Sequence, residues 1–523
     1  MNPPTTAAAA RTMNDVRVAS TDDTTFFGHP RGLSTLFFSE MWERFSYYGM
    51  RGFLILYMTA AASAGGMGLD TATAAAIYGT YTSLVYLMSV PGGWLADRVL
   101  GQRKSVLYGG ILIACGHYTL AVPLSGSFYV GLVLIVLGTG LLKPNISVIV
   151  GQLYGPDDVR RDAGFSIFYM GINLGAFLGP LLTGFLAQDE GFRALIAGWG
   201  MDPNSAWHWA FGAAGVGMTL GLIQYVAMGR WMGTAGLKPG GATTPELAEK
   251  YKRQAVRYGG GGVALVVAVV LLALAGIVTI SPTAVRDLTG YSLLVITVVF
   301  FASLFLDRSW TPQERGRLWV IFVFFIAAAI FWSVFEQAGS TLNLFADRST
   351  RNEVFGYAYP SSWFQSLNAL FIIIFAPLFA WMWLKLGSRQ PSAPLKFSVG
   401  LIGVGLGFLI IVPAAQLAAG GALVGPTWLF MVYLVHTFAE LCLSPVGLSS
   451  MTKLAPARVV GSMMGVWFLG ASVGNFMAGQ LATFYEEMPL DRLFMTISIL
   501  PIVAGIVMLA LSSRFKRLMG GVS

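Results

Sequence analysis

Seven ionisable side chains lie inside long apolar runs of the sequence, where a charge is expensive. A charged group at the centre of a bilayer costs about 2.5–3.5 kcal/mol on insertion scales, so each should face a cavity or a partner of opposite charge. Carboxylates in such a cavity can carry protons, and cations there can bind the carboxylate of a solute. The seven are Glu40, Glu43, Arg44, Arg51, Lys143, Glu336 and Glu440.

Four of these residues share one face of a single predicted helix. Glu40, Glu43, Arg44 and Arg51 follow i, i+3, i+4 spacing, and Tyr47 lies on the same stripe. One interpretation is a ladder of internal salt bridges that orients the helix. The other is a proton-carrying stripe whose acids respond to the cations beside them. Two acids and two bases on one stripe favour the second interpretation.

Lys143 and Glu336 lie on other predicted helices, each deep in its apolar run. Lys143 precedes Pro144, which removes a backbone donor beside the cation, and about ten residues separate it from either end of its span. A lysine filling a helix kink and a glutamate joining two helices are the structural alternatives. Either role of Glu336 needs a cationic partner, and the available cations at depth are Arg44, Arg51 and Lys143.

The elements that position these residues follow from composition. Of the 523 residues, 55% are hydrophobic and 11% are charged, against roughly 25% charged in soluble proteins. A helix needs about 20 apolar residues to cross a bilayer, and strands exposing unpaired backbone to lipid are excluded. We therefore predict an all-α polytopic membrane protein. About fourteen spans are expected, near 35–61, 73–96, 104–124, 128–150, 163–187, 207–229, 260–280, 290–306, 317–340, 361–385, 396–418, 426–450, 458–484 and 492–512.

The spans divide into six, two and six. This division predicts a six-helix bundle over 31–230, a linker with two extra helices over 231–316, and a second six-helix bundle over 317–513. About 25 Lys and Arg residues fall on the side of the N-terminus and about 5 on the other, so both termini are expected to be cytoplasmic. Residues 1–30, which lack a signal-peptide core, and residues 514–523 are expected to be cytoplasmic tails.

The net charge of +8 does not indicate a nucleic-acid partner, because the basic residues cluster between apolar runs. Cys115 and Cys442 lie inside apolar stretches, so neither a disulfide nor a metal site is expected. The sequence has no phosphate-binding GxxxxGK[ST] run, HExxH motif or nucleophile elbow in a soluble domain, so an enzyme is not expected.

Residues 40–49, EMWERFSYYG, resemble the ExxERFxYYG signature of the proton-dependent oligopeptide transporters, the peptide-transporter branch of the major facilitator superfamily. Residues 92–101, GGWLADRVLG, are similar to the family's version of the superfamily loop motif. Residues 165–177, FSIFYMGINLGAF, and 440–448, ELCLSPVGL, resemble its fifth-helix and tenth-helix signatures. The resemblance runs from about residue 30 to the C-terminus and implies a major facilitator fold of twelve core helices plus two, in a bacterial cytoplasmic (inner) membrane.

The resemblance also implies roles. Residues expected to surround the peptide carboxylate are Arg44, Arg51 and Lys143. Residues expected to hold the peptide amino group are Asn173, Asn368 and Glu440. Residues expected to line side-chain pockets are Tyr48, Tyr86, Trp332 and Trp467. Residues expected to couple transport to protons are Glu40, Glu43, Arg44, Arg51 and Glu336, with Glu336 paired to Arg51. Residues expected to act in conformational gating are Asp97 and Arg98.

Two departures from relatives bear on proton coupling. Phe335 precedes Glu336 where some relatives have consecutive acids. The second span has Tyr78, Tyr81 and Tyr86 but no histidine. Coupling is therefore expected to rest on carboxylates, and His436 is interpreted as a satisfied core histidine. The implied function is a proton-coupled symporter that imports di- and tripeptides by alternating access, as a functional monomer in lipid, with the proton as coupling ion and no cofactor. The alternatives are a transporter of nitrate or another small anion or zwitterion, and a non-transporting receptor or scaffold.

Overall fold

The computed structural model of the chain describes residues 23–155, 157–241, 244–456 and 458–520. These residues are mainly helical, with one short antiparallel hairpin formed by β1 (Glu353–Val354) and β2 (Tyr357–Ala358). The α-helices are α1 (Gly32–Thr59), α2 (Thr71–Leu87), α3 (Ser89–Leu95), α4 (Gln102–Leu120), α5 (Ser125–Gln152), α6 (Arg161–Gln188), α7 (Glu190–Gly198), α8 (Ala206–Ala227), α9 (Pro245–Leu274), α10 (Pro282–Leu306), α11 (Pro312–Phe335), α12 (Thr341–Arg348), α13 (Gln365–Leu386), α14 (Ala393–Ala418), α15 (Thr427–Leu454), α16 (Val460–Ala482) and α17 (Leu490–Leu518).

Within the described residues, ten helices are long and apolar enough to cross a membrane. The prediction of an all-α polytopic membrane protein is confirmed. The count of fourteen spans and the division at 31–230, 231–316 and 317–513 stay predictions. Residues 1–22 of the expected N-terminal tail and residues 521–523 of the C-terminal tail lie outside the described residues.

The second span differs from the continuous helix predicted over 73–96. Helix α2 ends at Leu87 and α3 begins at Ser89, with a π-helical turn over Ala96–Leu100 after α3. Pro91 has no backbone N–H to donate to the carbonyl of Leu87 four residues earlier, which is why the helix breaks at this point.

The two extra helices are longer than predicted. Helix α9 begins at Pro245 rather than near 260, because the Thr244 side chain accepts a hydrogen bond from the N–H of Leu247 and caps the helix. Helix α10 begins at Pro282 rather than near 290, and Ser281 caps it in the same way. The part of the predicted polar linker from Pro245 onward is therefore helical.

The seventh span also has different ends from the predicted 317–340. Helix α11 begins at Pro312, where Thr311 and Glu314 form a capping box. It ends at Phe335, and a 3₁₀ turn over Glu336–Gly339 connects it towards α12. Glu336 therefore lies at a bend, where its side chain can leave the helix axis and reach another element.

Two groups of helices meet along two seams, and one large cluster of buried hydrophobic residues contains side chains of both groups. In the first group, α1 packs against α6 and α8, and α4 packs against α5. In the second group, α14 packs against α15 and α17, and α11 packs against α16. Helix α2 of the first group contacts α16 of the second, and α6 contacts α13. These two seams position the residues described next.

Candidate functional site

The first charged cluster lies on α1, where Arg44 is held between two carboxylates. Arg44 Nε lies 2.8 Å from Glu40 Oε1 and 2.7 Å from Glu43 Oε2, and the three side chains are at most 4% exposed. One guanidinium cannot neutralise two carboxylates, so the cluster holds an excess negative charge away from water. Among the described residues, Glu40 Oε2 and Glu43 Oε1 have no hydrogen-bond donor. Binding one proton would make the cluster neutral.

The second charged cluster joins the two helix groups. Arg51 of α1 forms an ion pair through Nη2 with Glu336 Oε2, and its Nε donates a hydrogen bond of 2.6 Å to the Tyr78 hydroxyl of α2. The Arg51 and Glu336 side chains are 7% and 4% exposed. The predicted pairing of Glu336 with Arg51 is confirmed, and it ties α1 and α2 to the end of α11.

Lys143 of α5 has an aromatic neighbour instead of a carboxylate. Its Nζ lies 3.7 Å from the centre of the Tyr86 ring, within cation–π range. No carboxylate of the described residues lies within 4.0 Å of Lys143 Nζ. Its charge is therefore available to an anionic group of a ligand. The contact brings Lys143 and Tyr86 together, and their roles in peptide binding stay predictions.

Glu440, in the second group, is hydrogen-bonded to the amide of Asn368. Asn368 Nδ2 of α13 donates hydrogen bonds of 3.0 Å to Glu440 Oε2 and to the Thr437 hydroxyl of α15. Asn173, predicted to act with these residues, lies on α6, where its Nδ2 donates to the Tyr169 carbonyl at 2.9 Å. The Asn173 side chain therefore keeps its Oδ1 for another donor.

The two predicted tryptophans pack against glycines of neighbouring helices. A Cβ at Gly447 would lie 2.2 Å from the Trp467 ring, and a Cβ at Gly474 would lie 2.5 Å from Trp332 Cβ. The buried Nε1 of Trp332 has no hydrogen-bond partner among the described residues. Tyr48 lies beside Arg51, whose Cζ is 5.7 Å from its ring centre.

A cavity of about 2240 Å³ lies between the two groups, with residues of both in its walls. Lys143 and Asn173 line it, and Leu441, next to Glu440, lines the opposite wall. The other eight predicted substrate residues are not in its lining; they are Arg44, Tyr48, Arg51, Tyr86, Trp332, Asn368, Glu440 and Trp467. The cavity opens where charged residues gather at the ends of helices. We call this side of the molecule the open face. Its charged residues include Asp97, Arg98, Arg161, Asp162 and Arg458.

The opposite face of the molecule is sealed by direct contacts between the groups. A Cβ at Gly79 of α2 would lie 2.4 Å from Gly479 Cα of α16, so the two backbones touch. Ser83 and Ser472 are hydrogen-bonded at 2.9 Å along the same seam. We call this the closed face. Tyr78, which binds Arg51, directly precedes Gly79 on α2, so the Arg51–Glu336 pair lies at the level of the closed-face seam. The cavity residue Leu87 lies farther along α2.

The predicted gating residues occupy the turn between α3 and α4. Asp97 Oδ1 accepts a hydrogen bond of 2.9 Å from Gln102 Nε2. Arg98 Cζ lies 4.8 Å from the ring centre of Tyr251 and 5.7 Å from that of Trp94. Both gating residues line the mouth of the cavity, and Tyr251 belongs to the extra helix α9.

Sequence reasoning missed three contact residues. Tyr78 was noted as a tyrosine of the second span but was not assigned to the Arg51 site, although an aromatic hydroxyl in an apolar run needs a partner. Tyr251 and Asn343 were not singled out. Asn343 Nδ2 donates to the Gly52 carbonyl at 2.7 Å across the two groups, and a buried asparagine in a short polar segment is the signal that could have found it.

His436 is a core residue, as interpreted from the sequence. Its Nε2 lies 3.0 Å from the Val404 carbonyl and its side chain is buried. It packs closely over α14, since a Cβ at Gly407 would lie 2.3 Å from its ring. This contact satisfies the histidine within the second group and leaves it outside the charged clusters.

The chain is similar in sequence to known proteins over almost its whole length. Residues 103–500 match the model of the POT family. The chain is 43% identical to the peptide transporter YePEPT of Yersinia enterocolitica, over 95% of this chain and 96% of that protein. It is 37% identical to the di-/tripeptide transporter of Lactococcus lactis subsp. cremoris, over 95% and 98% of the two chains.

A solved structure has the same fold over nearly the whole chain. It is a crystal structure of peptide transporter POT in complex with sulfate, 45% identical, with a TM-score of 0.86 over 96% of this chain and 99% of that chain. The expected major facilitator fold is therefore confirmed. The relatives are transporters, which agrees with the expectation that the chain is not an enzyme. These matches show that the chain belongs to the POT family, the proton-dependent oligopeptide transporters.

Proposed function

We propose that the protein is a proton-coupled symporter that imports di- and tripeptides by alternating access. The observation that carries the proposal is the charge on the two sides of one cavity. Lys143, without a carboxylate partner within 4.0 Å among the described residues, faces it from the first group. Glu440 with Asn368 lies behind its second wall. A zwitterionic peptide presents opposite charges a short distance apart, and this arrangement suits both ends.

Each predicted substrate residue then has a specific task. Arg44, Arg51 and Lys143 attract the peptide carboxylate, while Glu440 and the two amides, Asn173 and Asn368, receive the ammonium group. Glu440 already accepts a hydrogen bond from Asn368, which holds the carboxylate in one orientation. The tyrosines and tryptophans next to these groups supply apolar walls that accept many side chains; they are Tyr48, Tyr86, Trp332 and Trp467.

Proton coupling rests on the two charged clusters of α1. A proton on Glu40 or Glu43 removes the excess charge beside Arg44, and a proton on Glu336 removes its attraction to Arg51. Because Arg51 and Glu336 belong to different groups, loss of this attraction favours opening of the closed face. Asp97 and Arg98 act at the opposite end, where the cavity opens.

The orientation in the membrane follows from charge. The open face carries Arg98, Arg161 and Arg458, and basic loops favour the cytoplasmic side. We propose that both termini are cytoplasmic, that the membrane is the bacterial inner membrane, and that the structure is open to the cytoplasm. Every proposed site residue comes from one chain, so a monomer suffices, and no cofactor is needed besides the proton.

Two other functions use parts of the same geometry. A nitrate or small-anion transporter needs the cations but not Glu440, and a receptor needs a binding site but no alternation between two faces. The closed seam at Gly79 and Gly479 opposite an open cavity favours alternation over a static receptor.

Competition for uptake tests the substrate class. Uptake of radiolabelled di-alanine into proteoliposomes should fall when unlabelled di-alanine or tri-alanine is added. Alanine, tetra-alanine and nitrate should compete poorly, because they lack the spacing of charges or the second charge. Competition by nitrate as strong as that by di-alanine would support the anion alternative, and saturable binding without uptake would support the receptor.

A further inference from the structure

The second extra helix, α10, has one face that differs from the rest of its surface. Thr289, Leu293 and Leu304 are buried, and Ile296 and Phe300 lie on the same stripe at helical spacing. Ile296 and Phe300 line the cavity between the two groups, together with residues of the core helices. The other extra helix, α9, has no buried side chain among the described side chains of its apolar stretch. The two extra helices are therefore not equivalent.

The position of α10 explains this stripe. It packs against α2 of the first group and α16 of the second, so it covers the seam between them. The contact with α16 is close, since a Cβ at Gly290 would lie 2.7 Å from the Phe476 ring. Nearer the open face, where the two groups separate around the cavity, Ile296 and Phe300 occupy the gap between α2 and α16.

The end of α10 is attached to the mouth of the cavity. Arg458, which lines the mouth, lies with Cζ 3.9 Å from the Trp310 ring centre, just after α10. Its Nη1 donates to the Ser309 hydroxyl at 2.8 Å and lies 3.9 Å from Asp307 Oδ2. The first extra helix is attached to the other group, through Tyr251 and Arg98. The inserted pair is thus fixed to both sides of the opening.

We propose that α10 is a lateral wall of the transport cavity, with Ile296 and Phe300 facing the water and peptide inside and excluding acyl chains from the gap. The proposal rests on the proposed function only for the identity of the peptide. The two apolar side chains then add to the surface that contacts side chains of bound peptides, and the inserted pair becomes part of the transport pathway rather than a lipid-facing addition.

Cysteine accessibility tests the wall directly. Ile296→Cys and Phe300→Cys are placed singly in a background with Cys115→Ser and Cys442→Ala, and the protein is reconstituted in nanodiscs with both faces open to reagent. The membrane-impermeant thiol reagent MTSES is then added. Leu294→Cys and Val298→Cys are the matched controls, because both side chains are exposed on the opposite face of the same helix.

If α10 lines the cavity, MTSES should modify Ile296→Cys and Phe300→Cys at least about tenfold faster than the two controls. The thiolate is the reactive form of cysteine, and apolar lipid around the control positions suppresses ionisation of the thiol. Equal rates on the two faces would overturn the proposal. Ile296→Cys removes less volume than Phe300→Cys, so it remains informative if Phe300→Cys folds poorly. The labelling needs no peptide, so the two proposals can fail separately. Fast labelling of Ile296→Cys and Phe300→Cys without di-alanine uptake would refute the proposed transport function alone. Di-alanine uptake with labelling no faster than at the control positions would refute the cavity-wall proposal alone.

Discussion

The ion pair between Arg51 and Glu336 should hold the closed face shut, and Glu336→Gln measures how strongly. Both side chains are almost fully buried, at 7% and 4% exposure. When the carboxylate is neutralised, Arg51 keeps its hydrogen bond to Tyr78 and its contact with the Tyr48 ring but loses its only carboxylate partner among the described residues. Removing one partner of a buried charge pair typically costs about 2–5 kcal/mol. At about 1.4 kcal/mol per factor of ten, the ratio of molecules closed to molecules open on this face should fall about 30- to 4,000-fold.

Double electron–electron resonance can measure that ratio with spin labels on either side of the closed face. Ser63 and Glu353 are exposed positions near this face, one in each helix group, and suit labelling through introduced cysteines in the background without Cys115 and Cys442. Glu336→Gln should move the distance distribution towards the longer, open distances at neutral pH. In the unaltered protein, acidification should produce the same change, because protonation and amidation both remove the charge.

Glu486→Gln is the matched control, since Glu486 also lies on the closed face and contacts Thr71 of the other group. The hydrogen bonds from Thr71 and Arg348 hold the pKa of Glu486 below its usual range. The contact is therefore present at neutral and mildly acidic pH and is lost only as the pH falls through that lowered value. Glu486 is 57% exposed. Exposed ion pairs contribute about 0–1 kcal/mol, so Glu486→Gln should change the ratio of closed to open molecules by at most about fivefold. An effect of Glu336→Gln no larger than that of Glu486→Gln would refute the assignment of the buried pair as the main closure.

Glu43→Gln should abolish uptake driven by a pH gradient but leave peptide-for-peptide exchange partly intact, because exchange needs no net proton movement; parallel loss of folding yield and both transport modes would instead indicate a packing role. Lys143→Ala should weaken di-alanine binding by about 2–5 kcal/mol in calorimetry, and unchanged binding would remove this cation from the site. Glu440→Gln should impair competition by free dipeptides more than by N-acetylated ones, whereas equal losses would argue for a structural role. Gly79→Val should prevent the approach to Gly479 and lower uptake, with the spin-label distances shifted towards opening; normal uptake would contradict the close seam.

The charged residues of the site could be predicted from the sequence because charged side chains are costly, and therefore rare, in membrane-spanning segments. Arg51, Lys143 and Glu336 stand out in apolar runs, and a buried acid must find a cation, so the residues alone left a short set of candidate partners for Glu336. The family resemblance then selected Arg51 from that set. The aromatic partner of Lys143 was harder to assign, because tyrosines and tryptophans are common in these helices. Tyr86 was assigned to the peptide site through family resemblance and not through spacing, and its contact with Lys143 was not predicted.

Helix boundaries and the residues that line the cavity were harder to predict from the sequence. Hydropathy detects apolar length, and so it missed the polar turns of α9 after Thr244, where capping and helix propensity decide the start. The break between α2 and α3 depends on one proline whose effect varies with its surroundings. The inward stripe of α10 is almost as apolar as its outer face, so Ile296 and Phe300 differ from Leu294 and Val298 only through the tertiary fold.

Accumulation of di-alanine in proteoliposomes under an imposed pH gradient, acid outside, tests the central claim of proton-coupled peptide import most directly. Proton coupling predicts that di-alanine rises inside above its external concentration and that a protonophore abolishes the rise. Liposomes with Glu336→Gln at matched protein content should reach only equal concentrations. Accumulation that persists after the gradient is collapsed, or uptake that never exceeds the external concentration in the unaltered protein, would contradict it.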